Sequence, residues 1–330
     1  MNKAWLLVAV LLLLALAGWR DYRAFTDAPL AIADGGQRLL VERGASVRAV
    51  IKQLGNRGLT RPGWRWRLLT RLEPVTIQVG EYALEPGLTP RGLLALLASG
   101  DVMRYRFTIV EGWTYRQLLA ALAADPVLVK QIPELDSGAR VLNAINPELE
   151  HPEGWFLPET YQFVRGDSDL ALLRRAQRAM QTALDAAWEN RDPELPLDTA
   201  YELLVLASIV EKESSLDSER AAIAGVFVRR LRQGWRLETD PAVIYGLAER
   251  FDGDLRRRDL QLDSPYNTYT RHGLPPTPIA LPGISALAAA AHPAAGTAMF
   301  FVASGQGGHV FSDTLEEHNA AVREMLRRRP

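Results

Sequence analysis

The sequence predicts an α+β protein with an N-terminal transmembrane helix, a small βα module and a mainly helical domain carrying short strands. Three observations predict it. Residues 4–19 are apolar without interruption. Between residues 39 and 123, strand-like runs are followed three times by a Gly, a hydroxyl residue and an amphipathic segment. From about residue 125 the apolar residues fall at helical spacing, until strand-like runs return near residue 300. The implied boundaries are 1–23, 24–105 and 106–330. A chain of 330 residues, 48% hydrophobic and with net charge −1, has globular composition and room for two domains. That charge gives no electrostatic basis for binding nucleic acid. With no Cys, disulfides, thiolate metal sites and thiol nucleophiles are excluded together.

At the N-terminus, Ala4 to Trp19 lies between Lys3 and Arg20. As a helix this stretch is about 24 Å long, a little short of a ~30 Å hydrocarbon core. Trp5 and Trp19 suit the two interfaces, and Arg20 and Arg23 can reach water beyond them. Ala15-Leu16-Ala17 equally fits the cleavage site of a signal peptide. Either way, the rest of the chain is expected outside the cytoplasm.

The three βα units cover 39–54, 82–100 and 107–123. Each places Gly44, Gly87 or Gly112 two residues before Ser46, Thr89 or Thr114. The Gly supplies a turn and the hydroxyl caps the first free amides of the helix. Their spacing is irregular, so they are not a solenoid repeat. Such units suit a polysaccharide-binding module; they also suit a fold that only supports itself.

Farther on, residues 169–190 read as a one-sided amphipathic helix. Residues 218–234 read as a helix capped by Ser218, with Glu219 in its first turn and Gly234 at its end. Residues 240–250 open with Asp240 as cap and Pro241 as first helical residue. The stretch 264–283 is too rich in Pro and Gly for helix or central strand, and a loop of that length is a candidate for function. Residues 299–312 read as two short strands around a Gly turn.

The run "LLVLASIVEKESS" (203–215) joins an apolar helix to two carboxylates. At 100° per residue, Ser208 and Lys212 mark its polar side. Glu213 projects between Leu206 and Ile209, about 60° from the apolar centre, and Glu211 lies nearer the boundary at about 100°. Aliphatic neighbours strip water from a carboxylate and raise its pKa, which suits a general acid. Two carboxylates marking a solvated helix end is the simpler alternative.

Several blocks recur together: "ASIVEKESSLDSERAAIAGVFVRRLRQGWRLETDPAVIYGL", "YNTYTRHGLPPTPIALPG", "AAAHPA", "FFVASGQGGHVFSDTLEEHN" and "EGWFLPETYQF". Taken in their order along the chain, they resemble the endolytic murein transglycosylases, the YceG-like family, over nearly the whole chain. The resemblance implies a single-pass inner-membrane protein with its C-terminal part in the periplasm. It implies a LysM-like module and a lyase domain that cuts peptidoglycan glycan strands. The family's catalytic acid, the second Glu of E-K-E, falls on Glu213, and Glu213-Ser214 is similar to the E-S pair of soluble lytic transglycosylases. Ser214, Asn267, Tyr266 and Tyr269 are the expected substrate-binding residues.

Each has a structural alternative. Asn267 can hydrogen-bond the substrate or brace its loop; Tyr266 and Tyr269 can stack on sugar or pack half-buried. Asp240 reads as a helix cap before a second acid. Trp155 and Tyr161 can line a groove or belong to the core, and Glu153 and Glu159 are the reserve acids. His309 and His318 are too far apart for a zinc-protease pair, and His272 and His292 read as loop contacts. No metal and no cofactor are expected. The expected partners are glycan strands, the inner membrane and, as candidates, peptidoglycan synthases. Two rival functions remain: a non-catalytic wall-binding scaffold and a hydrolysing muramidase.

Overall fold

The computed structural model describes residues 3–132 and 138–328. Met1 and Asn2, where the expected anchor begins, lie outside the described residues. The chain divides into two units: residues 1–105 with 162–166, and residues 106–161 with 167–330.

In the first unit, α1 (Lys3–Asp27) is one continuous helix. It is longer than its apolar stretch because its last turns are amphipathic and pack: Tyr22 and Thr26 are buried, while Trp5 to Trp19 stands exposed. After it come β1 (Gln37–Val41), α2 (Val47–Asn56), α3 (Trp64–Leu72), β2 (Gly80–Leu84) and α4 (Pro90–Ser99). β1 and β2 pair antiparallel with Leu39 opposite Tyr82, so a βααβ unit closes on itself. Leu39, Leu54, Trp66, Leu69, Tyr82 and Leu97 form its core. α3 is absent from the sequence reading because only Trp66 and Leu69 of its nine residues are buried, too few for a clear apolar period. The returning segment 162–166 is held by Arg165, whose Nε donates to buried Glu81 at 2.7 Å.

The predicted units form as strand, turn, cap and helix. β3 (Arg104–Thr108) and α5 (Tyr115–Ala124) complete the third. Ser46, Thr89 and Thr114 each accept a backbone N–H from three residues on, and Thr114 adds a full capping box with Gln117. Gly44, Gly87 and Gly112 all have positive φ, between 74° and 87°.

The second unit continues through α6 (Ala139–Ile145), and the chain leaves it and returns around β4 (Thr160–Val164). Then follow α7 (Asp169–Glu189), α8 (Ala200–Glu213), α9 (Asp217–Arg232), α10 (Asp240–Leu247) and α11 (Arg257–Gln261). The Pro/Gly-rich stretch 264–283 contains no helix or strand and leads into α12 (Ile284–Ala291). β5 (Phe300–Ala303), β6 (His309–Ser312) and α13 (Leu315–Arg328) close the chain, with β5 and β6 antiparallel.

α8 is the central helix, contacting α7, α9, α10 and α12. Every residue from Leu203 to Glu211 is buried, so it has no solvent face along that run. This corrects the wheel: Ser208 is fully buried, donating to Val205 O at 2.7 Å and accepting from Ile279 N at 3.0 Å. Two caps also move. α9 starts at Asp217 after Leu216, leaving Ser218 inside the first turn, and α10 starts at Asp240 with Thr239 before it.

Candidate active site

α8 ends at Glu213, and Ser214 turns the chain into extended backbone. The two carboxylates of that end go to different fates. Glu211 is buried against Arg220 of α9, 2.9 Å from its Nη2, and accepts Gly283 N–H at 3.0 Å. Burial pushes its carboxyl up, against the Gly283 hydrogen bond and the Arg220 charge. It is a structural carboxylate.

Glu213 opens on a cavity of about 390 Å³ lined also by Arg230, Glu238, Asp240, Tyr269 and His309. Thr239 Oγ1 donates to Glu213 Oε1 at 2.5 Å. Burial pushes the Glu213 carboxyl up to about 7 even though that hydrogen bond favours its anion; Asp240 pushes it further, while His309 and Arg230 oppose. A carboxyl balanced near neutrality can give a proton and then take one back.

The rim is built by long-range pairs. Buried Arg230 donates to Met299 O at 2.8 Å and to Leu237 O at 2.7 Å, pinning both sides of the cavity. Glu238 has φ 51°, a left-handed conformation uncommon for a side chain of this size, just where the chain delivers Thr239 to Glu213. Tyr269 OH donates to Asp240 Oδ1 at 2.6 Å, and burial pushes its phenol far up. Glu219 does more than start a helix: it accepts His309 N–H at 2.8 Å and lies 2.7 Å from its Nδ1. That contact holds the first residue of β6 at the rim, and it holds the Glu219 carboxyl below its usual range.

The other sequence candidates separate. Glu213, Tyr269 and Asp240 share the cavity. Tyr266 instead lines a second cavity of about 760 Å³ with Lys212, Pro241 and Tyr245. It packs edge-on against Tyr245 at 5.0 Å and bonds Thr277 at 2.9 Å. Asn267 is 1% exposed and its amide is spent on the backbone. It donates to Asp259 O, Leu260 O and Leu262 O and accepts Tyr269 N–H, the geometry of a loop brace. Ser214 is buried and accepts Leu216 N–H at 3.0 Å, so it caps the turn after α8. Trp155 and Tyr161 belong to the core: Trp155 stacks on Tyr201 and Tyr161 OH donates to Leu157 O at 2.8 Å. Glu159 is exposed.

Glu153 is a second unusual carboxyl. It is 2% exposed, accepts Tyr115 N–H at 2.8 Å and Tyr245 OH at 3.0 Å, and burial pushes it up to about 7. Its folded pKa lies above the unfolded value, so its contribution is intact below about 4.5 and is lost as pH rises through about 7. In Glu153→Gln the amide oxygen can still accept Tyr115 N–H, and the amide NH2 can donate to the Tyr245 hydroxyl oxygen, with no charge to lose. The substitution is expected to raise stability above pH 8 by up to about 3 kcal/mol and to change little at pH 4, read by urea unfolding at both values.

Thr239, Glu238, Arg230 and the His309–Glu219 pair went unpredicted as site residues. Thr239 had a signal, since a Thr just before Asp-Pro sits at a helix entrance. The others depend on contacts between distant segments.

Residues 39–324 match the YceG-like family. The "Endolytic murein transglycosylase" of Bacillus subtilis (strain 168) is 29% identical over 308 residues, covering 87% of this chain and 84% of that protein. The protein of the same name from Streptococcus pneumoniae serotype 2 (strain D39) is 25% identical over 362 residues. That match takes in 96% of this chain, which spans only 64% of the pneumococcal protein's length. A 2.6 Å crystal structure of a YceG-like protein from Listeria monocytogenes is similar with a TM-score of 0.56 and 27% identity, over 87% of this chain and 99% of that one. The family match runs from β1 to α13 and takes in every residue of the cavity around Glu213, and the chain belongs to the YceG-like family.

Proposed function

We propose that the chain is an endolytic lytic transglycosylase of peptidoglycan, a lyase in which Glu213 acts first as acid and then as base. What carries this is the Glu213 carboxyl, pushed up to about 7 at the wall of an open cavity; the names of the relatives support the same chemistry. Glu213 gives its proton to the oxygen linking N-acetylmuramic acid to N-acetylglucosamine, and the bond from that oxygen to muramic C1 breaks with oxocarbenium character. The carboxylate left behind takes the proton of the muramic C6 hydroxyl, whose oxygen bonds to C1. The product is a 1,6-anhydro end, with no water consumed. Attack from within the same sugar gains from proximity. Asp240, held by Tyr269, supplies negative charge beside the developing cation.

A second reading rests on Asp240 as well. Two carboxylates at one cavity also suit a hydrolysing muramidase, with Asp240 activating water. Mass spectrometry of glycan strands digested by the purified protein separates the two. Anhydro ends are expected; reducing ends would make it a hydrolase, and intact strands a non-catalytic binder.

Residues 24–105 serve as a LysM-like glycan-holding module, supported by the βααβ order of residues 37–84. Residues 106–330 form the catalytic domain. α1 is a retained single membrane span, with everything after it in the periplasm, where nascent strands emerge beside their synthases.

The Thr239 hydrogen bond sets the working pH. It stabilises the Glu213 anion, so Thr239→Val is expected to raise the Glu213 pKa and move the alkaline limb of the pH–activity profile upward. An unmoved limb would mean that the titrating group is not Glu213.

A further inference from the structure

The exposed apolar part of α1 and the folded unit that follows share one helix, with no linker between them. Asp21, two residues past Trp19, accepts Arg65 Nε of α3 at 2.7 Å. Phe25 packs edge-on against Trp66 at 5.4 Å, and Arg91 bridges Asp27 and Glu73 at 3.3 and 2.9 Å. The start of α3 therefore lies level with Asp21 and its end level with Asp27, so α3 runs alongside α1, away from the apolar stretch. Arg65, next to Trp64 at the start of α3, thus reaches the turn of α1 that follows Trp19. The turn before α3 is held to the segment just past α1 by Ala31 N–H donating to Leu59 O at 3.0 Å, and to α3 by Trp66 Nε1 donating to Thr60 Oγ1 at 2.8 Å.

That level is rich in exposed aromatic and cationic groups. Trp19 and Trp64 are 52% and 50% exposed, and Arg20, Arg23 and Arg61 are exposed as well. Arg23 lies over Trp19 and Arg65 over Trp64, each 5.7 Å from the ring centre. A hollow of about 580 Å³ opens between this turn and residues 25–31. Exposed Trp beside Arg is the composition that lodges at a membrane interface, where the Trp ring sits at headgroup level and the guanidinium pairs with lipid phosphate.

We propose that Arg61 and Trp64 at the entry to α3, with Trp19, Arg20 and Arg23, are a seat that grips the anionic phospholipid headgroups of the bilayer crossed by α1. The inference rests on reading α1 as a retained span. Because the chain has no Cys, one introduced Cys takes one label. Full-length Trp64→Cys and Arg48→Cys, the second an exposed site on α2, are labelled with an environment-sensitive fluorophore in phosphatidylglycerol-containing vesicles. Acrylamide quenching is expected to be about threefold weaker at position 64 than at 48. That protection should fall in vesicles of phosphatidylcholine alone and on adding Arg61→Glu. Equal quenching at the two positions overturns the seat, and undiminished protection on phosphatidylcholine overturns its preference for anionic lipid. Extraction of the unlabelled chain by alkaline carbonate would fail the span itself, a result distinct from both.

Discussion

Glu213→Gln is expected to abolish glycan cleavage while making the protein more stable at alkaline pH. Loss of a general acid costs about 10²–10⁴-fold in rate. The stability change has a separate origin. The Glu213 carboxyl stands at about 7 in the folded chain against a reference of 4.5, so ionising it above pH 7 works against the fold. Gln can still accept the Thr239 hydroxyl and carries no charge. A gain of up to about 3 kcal/mol is expected above pH 8, shrinking to nothing near pH 4. Digestion assays and melting temperatures at both pH values check the two halves. Full activity would remove Glu213 from the chemistry, and a variant less stable at pH 8 would contradict its buried, strained ionisation.

Arg220→Met is expected to be severely destabilising. Arg220 is 3% exposed and pairs with Glu211, whose side chain is 4% exposed. Its Nε also reaches Ser214 O at 3.4 Å, tying α9 to the turn after α8. Removing one member of such a pair strands the other as a buried charge, at about 3–5 kcal/mol. The double variant Arg220→Met with Glu211→Gln is expected to recover most of that, because both charges go and the amide oxygen can still accept Gly283 N–H. Urea unfolding of the single and double variants measures it. A loss below about 1 kcal/mol in the single variant would show that the pair does not clamp the site.

Local chemistry was legible in the sequence. Gly turns and hydroxyl caps located three βα units because those signals act within four residues of each other. Leu206 and Ile209 pointed to Glu213 because they sit two turns and one turn before it, although the wheel assumed a solvent face at Ser208 that α8 does not have. What stayed hidden was contact across distance. Nothing near Asn267 reveals that three carbonyls, five to eight residues back, use up its amide. Nothing near Glu219 announces His309, 90 residues on. Tyr266 and Tyr269 are three apart in an irregular loop, and only its folded path sends them to different cavities.

One feature of α8 bears directly on how its last residue works. Glu213 stands at the C-terminal end of a 14-residue helix, where unpaired carbonyls concentrate the negative pole of the macrodipole. That field resists a second negative charge there, which adds to burial in keeping the proton on, and it welcomes positive charge appearing in front of it. In the chemistry proposed for Glu213, proton donation and cation stabilisation would draw on the same backbone electrostatics, and a helix ending one turn earlier would weaken both at once.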